Sequence, residues 1–121
     1  MIPLDPAYLV GTGGAIGALC RAVVNAHIES ETYPLGTLAV NVLGSFVLGL
    51  VTFASAGEEI VLLLGTGACG SFTTFSSFSF ETVRLVEQGE SAAAAANAAV
   101  NLVGSLAAIG VAWLAVGIVL G

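Results

Sequence analysis

Four stretches of this chain carry no charged side chain: residues 6–20, 32–57, 60–80 and 91–121. Crossing the hydrocarbon core of a bilayer takes roughly 20 apolar residues wound as a helix. Extended to the polar residues that flank them, the stretches give spans at about 7–28, 35–56, 60–86 and 92–120. The connections are short and acidic: Glu29 to Pro34, Gly57 to Glu59, and Glu87 to Glu90. The expectation is a single transmembrane domain over residues 1–121.

A soluble globule is excluded on the same ground. Such a domain is about 25% charged, and a small one has a large surface to cover. Here 8% of the residues are charged, 57% are apolar, and the mean hydropathy is +1.04. Disordered chains are poor in apolar residues, so disorder is excluded too. Two arginines and no lysine leave no basic patch for nucleic acid. The solvent of this chain is the lipid bilayer.

Helices are expected rather than a β-barrel. Barrel strands alternate apolar and polar residues, whereas Leu62-Leu63-Leu64 and the run Ala92 to Ala96 do not, and Ala is the best helix former. Asp5 and the absence of a basic residue before it argue against a cleaved signal peptide.

Catalysis and metal ligation find little support. Cys20 and Cys69 sit inside apolar spans and read as small buried core residues, and His27 is the lone histidine. No nucleophile and base are visibly paired, so an enzyme is not expected. Gly65-Thr66-Gly67-Ala68-Cys69-Gly70 spells G-x-G-x-x-G, with Glu90 about 20 residues on. That spelling binds dinucleotides only between a strand and a helix. Within a membrane span it reads as close helix packing or a helix break.

Polar groups inside a membrane must find partners or line a wet path. In span 1, Gly13 and Gly17 form a G-x-x-x-G step that lets helices approach closely. Arg21 has two readings: snorkelling to the interface, or a fixed positive charge in an aqueous vestibule. Span 2 carries Thr37, Asn41 and Ser45, and span 4 carries Asn97, Asn101 and Ser105. Residues four apart share a helix face. Interhelical hydrogen bonding explains any one of them, while two ridges of three favour an uncharged polar track. Such a track offers N–H and O–H donors that can replace an anion's hydration shell without trapping the ion.

Span 3 is rich in glycine and then in Ser and Thr from Gly65 to Ser79. Glycine is a poor helix former, and Ser and Thr bond back to the backbone. A break is expected near Gly70 to Thr74, where freed backbone groups can hold an ion. Phe75 and Phe78 share a face beyond it. Phe ring edges are electropositive and can meet an anion; packing against lipid is the other reading.

Three motifs carry a family resemblance: Gly13-Gly14-x-x-Gly17-Ala18-x-x-Arg21, Gly36-Thr37-Leu38-x-x-Asn41-x-x-Gly44-Ser45-Phe46, and Gly70-Ser71-Phe72-Thr73-Thr74-Phe75-Ser76-Ser77-Phe78 followed by Glu81. The chain resembles the Fluc (CrcB) family of fluoride channels over nearly its whole length. Ser77 stands where the family more usually has Thr, and Asn101 where members often have Tyr. The resemblance implies an all-α membrane protein with four transmembrane helices and a broken third helix, assembled as an antiparallel, dual-topology dimer with a second copy or a paralogous subunit. It implies two fluoride pores along the subunit interface and a passive exit for fluoride trapped in the cytoplasm, driven by the inside-negative potential, across the cell membrane. The pore residues would be Asn41, Phe75, Phe78, Thr37, Asn101 and Ser105, with Arg21 near the aqueous entrance. A structural sodium ion would sit on the two-fold axis, held by the backbone carbonyls of Gly70 and Thr73.

The main rival is a small four-helix proton-coupled multidrug transporter. That mechanism wants a carboxylate within span 1, and between Pro6 and Ile28 there is none. A non-transporting structural subunit explains the glycine steps but not the polar ridges. Arg21 and Arg84 give only a weak orientation signal, compatible with insertion both ways. The acidic excess, net charge −6, resembles proteins of high-salt cells.

Overall fold

A computed structural model describes residues 4–28 and 33–121, so Glu29 and Glu31 of the first acidic connection lie outside the described residues. Asp5 starts the first helix. Its carboxylate accepts a hydrogen bond from Ala7 N at 2.9 Å, and Pro6 occupies a first-turn position where its missing N–H is not needed. The helix, α1, runs Pro6–His27, and α2 runs Leu35–Phe53. The chain then turns through Ser55, at φ 54°.

The third span opens with α3 (Glu58–Ile60), continues as a π-helix over Val61–Cys69, and closes its first half with one α turn, α4 (Gly70–Phe72). Helical winding stops at Thr73 and Thr74 and resumes as α5 (Phe75–Glu87). The weakness expected from the glycines therefore takes two forms, an expanded winding and a break. A turn at Gly89, whose φ of 79° suits glycine, leads to α6 (Ser91–Leu120).

Pro6–His27, Leu35–Phe53, Glu58–Glu87 and Ser91–Leu120 are each long and apolar enough to cross a membrane. The described residues form an all-α bundle of four spans with the third one bent. Its outer surface is apolar: Ile16, Leu19, Leu43, Leu102, Leu106 and Trp113 are all exposed. In water such a surface would aggregate; in a bilayer it meets its proper solvent.

Two close pairings organise the bundle. The first sets α1 along the π-helix. A Cβ added at Gly13 would overlap the Leu63 carbonyl, and one at Gly17 the Ala68 carbonyl. The G-x-x-x-G step is thus a place where one backbone lies against another. Gly67 completes it from the other side, where an added Cβ would stand 2.8 Å from Val10 O. Ser71 Oγ donates to Gly14 O at 2.6 Å and ties the same two elements.

The second pairing sets α2 along α6, with Gly49 against Ala112 and Gly104 against Val42. The residues that these two helices bury are largely small or polar, among them Thr37, Val40, Asn97, Asn101 and Ala112. Of the two cysteines, Cys69 is buried, but Cys20 is exposed on α1. Its expected place in the core is corrected: Cys20 shares the Gly13 and Gly17 face by spacing, but it lies one turn past Gly17 and is exposed.

Candidate functional site

The break in the third span is held open by side chains. In a continuous helix the Thr74 N–H would bond to the Gly70 carbonyl and the Ser77 N–H to the Thr73 carbonyl. Here Thr74 N donates to Asn41 Oδ1 at 2.8 Å, and Ser77 N donates to Thr74 Oγ1 at 3.1 Å. Thr74 is extended, with φ −148° and ψ 119°, and its hydroxyl caps α5. Asn41 Nδ2 returns a bond to Thr74 O at 3.1 Å. One side-chain amide thus serves both polar groups of one backbone residue, as a neighbouring strand would. The Gly70 and Thr73 carbonyls lose their helical donors to these side chains.

From Asn41 a directed chain of hydrogen bonds crosses the bundle. Asn41 Nδ2 also donates to Asn101 Oδ1 at 3.1 Å. Asn101 Nδ2 donates to Asn97 O at 2.9 Å and to Asn97 Oδ1 at 3.0 Å. Asn97 Nδ2 donates to Thr82 Oγ1 at 2.9 Å, and Thr82 Oγ1 donates to Phe78 O at 2.7 Å. The chain joins α2, α6 and α5 deep in the protein, where Asn97 is 0% and Asn101 6% exposed.

Beside this chain lies a groove of about 640 Å³, open on one side. Asn41 and Ser45 line it from α2, Thr73, Phe75 and Phe78 from the break and α5, and Asn101 and Ser105 from α6. Among the described residues no charged side chain lines it. The Phe75 and Phe78 ring centroids are 5.8 Å apart and tilted by 46°, a separation and tilt typical of interacting aromatic rings. Phe75 is 79% exposed, so its ring stands on the open side. The hydroxyls of Ser45 and Ser105 make no hydrogen bond among the described residues and are free to donate to a guest. Asn41 differs: both hydrogens of its amide are already bonded.

Of the residues expected at the site, Asn41, Phe75, Phe78, Asn101, Ser105, Gly70 and Thr73 all border this groove. Thr37 does not. It is buried further along α2, where its Oγ1 donates to Glu81 Oε1 at 2.9 Å. Glu81 Oε2 is buried with no partner among the described residues. Arg21 lies half-buried on α1, away from the groove.

Thr74 and Thr82 belong to this constellation without having been expected in it. Their signals were present. Thr74 directly precedes a helix, the position where a hydroxyl caps. Thr82 and Asn97 lie at equal distances along the chain from the Gly89–Glu90 turn, so a helical hairpin brings them level.

An apolar exterior around an uncharged polar groove defines a multi-pass protein of the cell membrane. Comparison with known proteins gives the family. The profile described as "CrcB-like protein, Camphor Resistance (CrcB)" matches residues 8–116. A Haloarcula marismortui protein, "Fluoride-specific ion channel FluC 2", is 60% identical over 113 residues, which cover 93% of this chain and 95% of the relative. "Fluoride-specific ion channel FluC 1" of Halobacterium salinarum is 53% identical, over 92% of this chain and 93% of the relative. "Fluoride-specific ion channel FluC 3" of Methanosarcina acetivorans is 44% identical, over 88% of this chain and 97% of the relative. The chain belongs to the CrcB/FluC family, whose members are ion channels and not enzymes.

Proposed function

We propose that this chain is a fluoride-selective channel that lets cytoplasmic fluoride leave passively and so relieves fluoride toxicity. The observation that carries the reading is the groove itself. It joins two uncommitted hydroxyls, Ser45 and Ser105, to the rings of Phe75 and Phe78, with no charge on its walls among the described residues. Fluoride is small, strongly hydrated and a strong hydrogen-bond acceptor. Hydroxyl donors and electropositive ring edges replace its water, and a neutral wall does not trap it. Asn41 and Asn101 shape the path, while Arg21 offers a positive charge nearer the aqueous end.

The groove is open on one side and Phe75 stands exposed at its rim. A second subunit, another copy or a paralogue, inserted in antiparallel orientation would close it. The two-fold relation then makes two pores, each with walls from both subunits. The Gly70 and Thr73 carbonyls suit the sodium ion expected on the dimer axis. Their helical donors are bonded elsewhere, and at the exposed Gly70 even an added Cβ would meet nothing within 4 Å. Backbone carbonyls are neutral oxygen ligands of the kind that replace a cation's hydration shell. Sodium there would add a fixed positive charge between the pores. A proton-coupled transporter is a poor fit, because that mechanism wants a carboxylate within span 1 and there is none between Pro6 and Ile28.

The test is reconstitution. Purified protein in liposomes under a membrane potential passes fluoride and not chloride. Absence of fluoride flux overturns the reading.

A further inference from the structure

A side-chain amide is two-sided, and the two sides have opposite meaning. Rotating Asn101 by half a turn would set its NH2 against that of Asn41 and its oxygen against the two oxygens of Asn97. The amide chain has one consistent direction, and backbone groups that cannot rotate anchor it at both ends. At one end the Thr74 N–H and C=O accept only one orientation of Asn41. At the other end the Phe78 carbonyl takes the Thr82 hydroxyl hydrogen at 2.7 Å. Thr82 can then offer Asn97 only a lone pair, so Asn97 must present Nδ2 to it, at 2.9 Å. Asn97 Oδ1 is thereby turned to Asn101, which must answer with Nδ2 and leave Oδ1 for Asn41.

Neither Thr82 nor Asn97 lines the groove. We infer that Thr82 and Asn97 are positioning residues of the ion path: they transmit the orientation of the Phe78 carbonyl to Asn101, so that it meets the Asn41 amide, itself held by Thr74, in one arrangement. The inference rests on the channel reading above. It also explains why a fully buried Asn sits on α6 at a level where a leucine would pack. A buried amide is kept at a cost in desolvation, and here all the polar atoms of its side chain have partners.

The test uses fluoride efflux from liposomes together with dimer assembly in detergent, for the native protein and the variants Thr82→Ser, Thr82→Val, Asn101→Ala, Thr82→Val/Asn97→Leu and Thr82→Val/Asn101→Ala. Ser keeps the hydroxyl, Val keeps the shape without it, and the Val/Leu pair leaves no buried amide unpaired. Thr82→Ser conducts like the native protein. Thr82→Val and the Val/Leu pair assemble normally and conduct at least about tenfold more slowly. In the Asn101→Ala background Thr82→Val has no further effect, because the group it orients is gone. Native rates in the Val/Leu pair overturn the inference and leave only packing. Failure of Thr82→Val to assemble also overturns it, since the hydroxyl is then a requirement of the fold. Additive losses in the Asn101→Ala background overturn it as well. A native protein that passes no fluoride removes the channel reading and this one with it.

Discussion

Asn41 and Thr74 are joined by two hydrogen bonds of opposite direction, 2.8 Å from the backbone N–H to Oδ1 and 3.1 Å from Nδ2 to the backbone carbonyl. The residue that the motif marks as a pore group is therefore also the splint of the broken helix. Replacing Asn41 by Asp keeps its shape and its acceptor but removes both donors. Thr74 O and Asn101 Oδ1 then face a carboxylate oxygen across about 3.1 Å. Each buried group left without its partner costs about 1–3 kcal/mol, and the added negative charge repels an anion in the same groove. Fluoride efflux from liposomes with Asn41→Asp is expected to fall by tenfold or more. A native rate removes Asn41 from the ion path.

Much of this site is legible in the spacing of polar residues, and the exceptions have a common cause. Thr37, Asn41 and Ser45 share a helix face, as spacing by four requires. A shared face does not mean a shared neighbour. At Thr37 the facing element is α5 with Glu81, at Asn41 it is the break, and at Ser45 it is the groove. Spacing along one helix carries no information about which helix lies opposite at each level. The same holds for the π-helix over Val61–Cys69. Three glycines signal weak helix, yet their spacing does not say whether the backbone expands or breaks, nor that the expanded stretch is the one α1 lies against at Gly13 and Gly17. The spans themselves are plain in the sequence because bilayer thickness sets their length and charges mark their ends.

The close approach of α1 to the π-helix makes a sharp contrast between neighbouring glycines. An added Cβ at Gly13 meets the Leu63 backbone, which cannot move aside without parting the two elements, whereas at Gly14 it meets nothing within 4 Å. Gly13→Ala is expected to destabilise by about 1–3 kcal/mol, the cost of overpacking. Gly14→Ala should be neutral or slightly stabilising, because alanine favours helix. Thermal unfolding in detergent checks the pair, with a lower midpoint for Gly13→Ala alone.

Thr37 gives the Glu81 carboxyl its one hydrogen bond among the described residues, while Oε2 of the same carboxyl is buried without any. Thr37→Val retains the packing and removes the donor, leaving both carboxyl oxygens without a protein partner. The expected loss is about 1–3 kcal/mol. Thr37→Ser, which keeps the hydroxyl, should recover most of it in the same unfolding measurement.

Phe75 separates the two readings of the aromatic pair. At 79% exposure its ring contributes little to the core of a single subunit, so Phe75→Ala should leave the subunit folded. On the channel reading the variant still dimerises but passes fluoride at least about tenfold more slowly, through loss of a ring edge from the ion path. Dimer assembly followed by size, beside liposome flux, distinguishes the cases. Loss of assembly supports packing as the role of the ring.

Ser45 and Ser105 allow a test in which function and stability part completely. Their hydroxyls line the groove and bond to nothing among the described residues. Removing them therefore breaks no internal hydrogen bond, unlike any change at Asn41, and Ser→Ala on a helix gains slightly in propensity. The unfolding midpoints of Ser45→Ala and Ser105→Ala are expected to stay at or just above the native value. On the channel reading flux should nevertheless fall, because each hydroxyl would replace part of the hydration shell of the passing anion, and one lost bond to a charged guest is worth about 1.5–3 kcal/mol. At about 1.4 kcal/mol per factor of ten, that corresponds to a decrease of about tenfold or more for each variant. Both quantities are read on the same preparations, by thermal unfolding in detergent and by fluoride efflux from liposomes. Unchanged flux in both variants would show that the guest is solvated by other groups. A drop in the unfolding midpoint would show that the hydroxyls have a partner within the assembled protein.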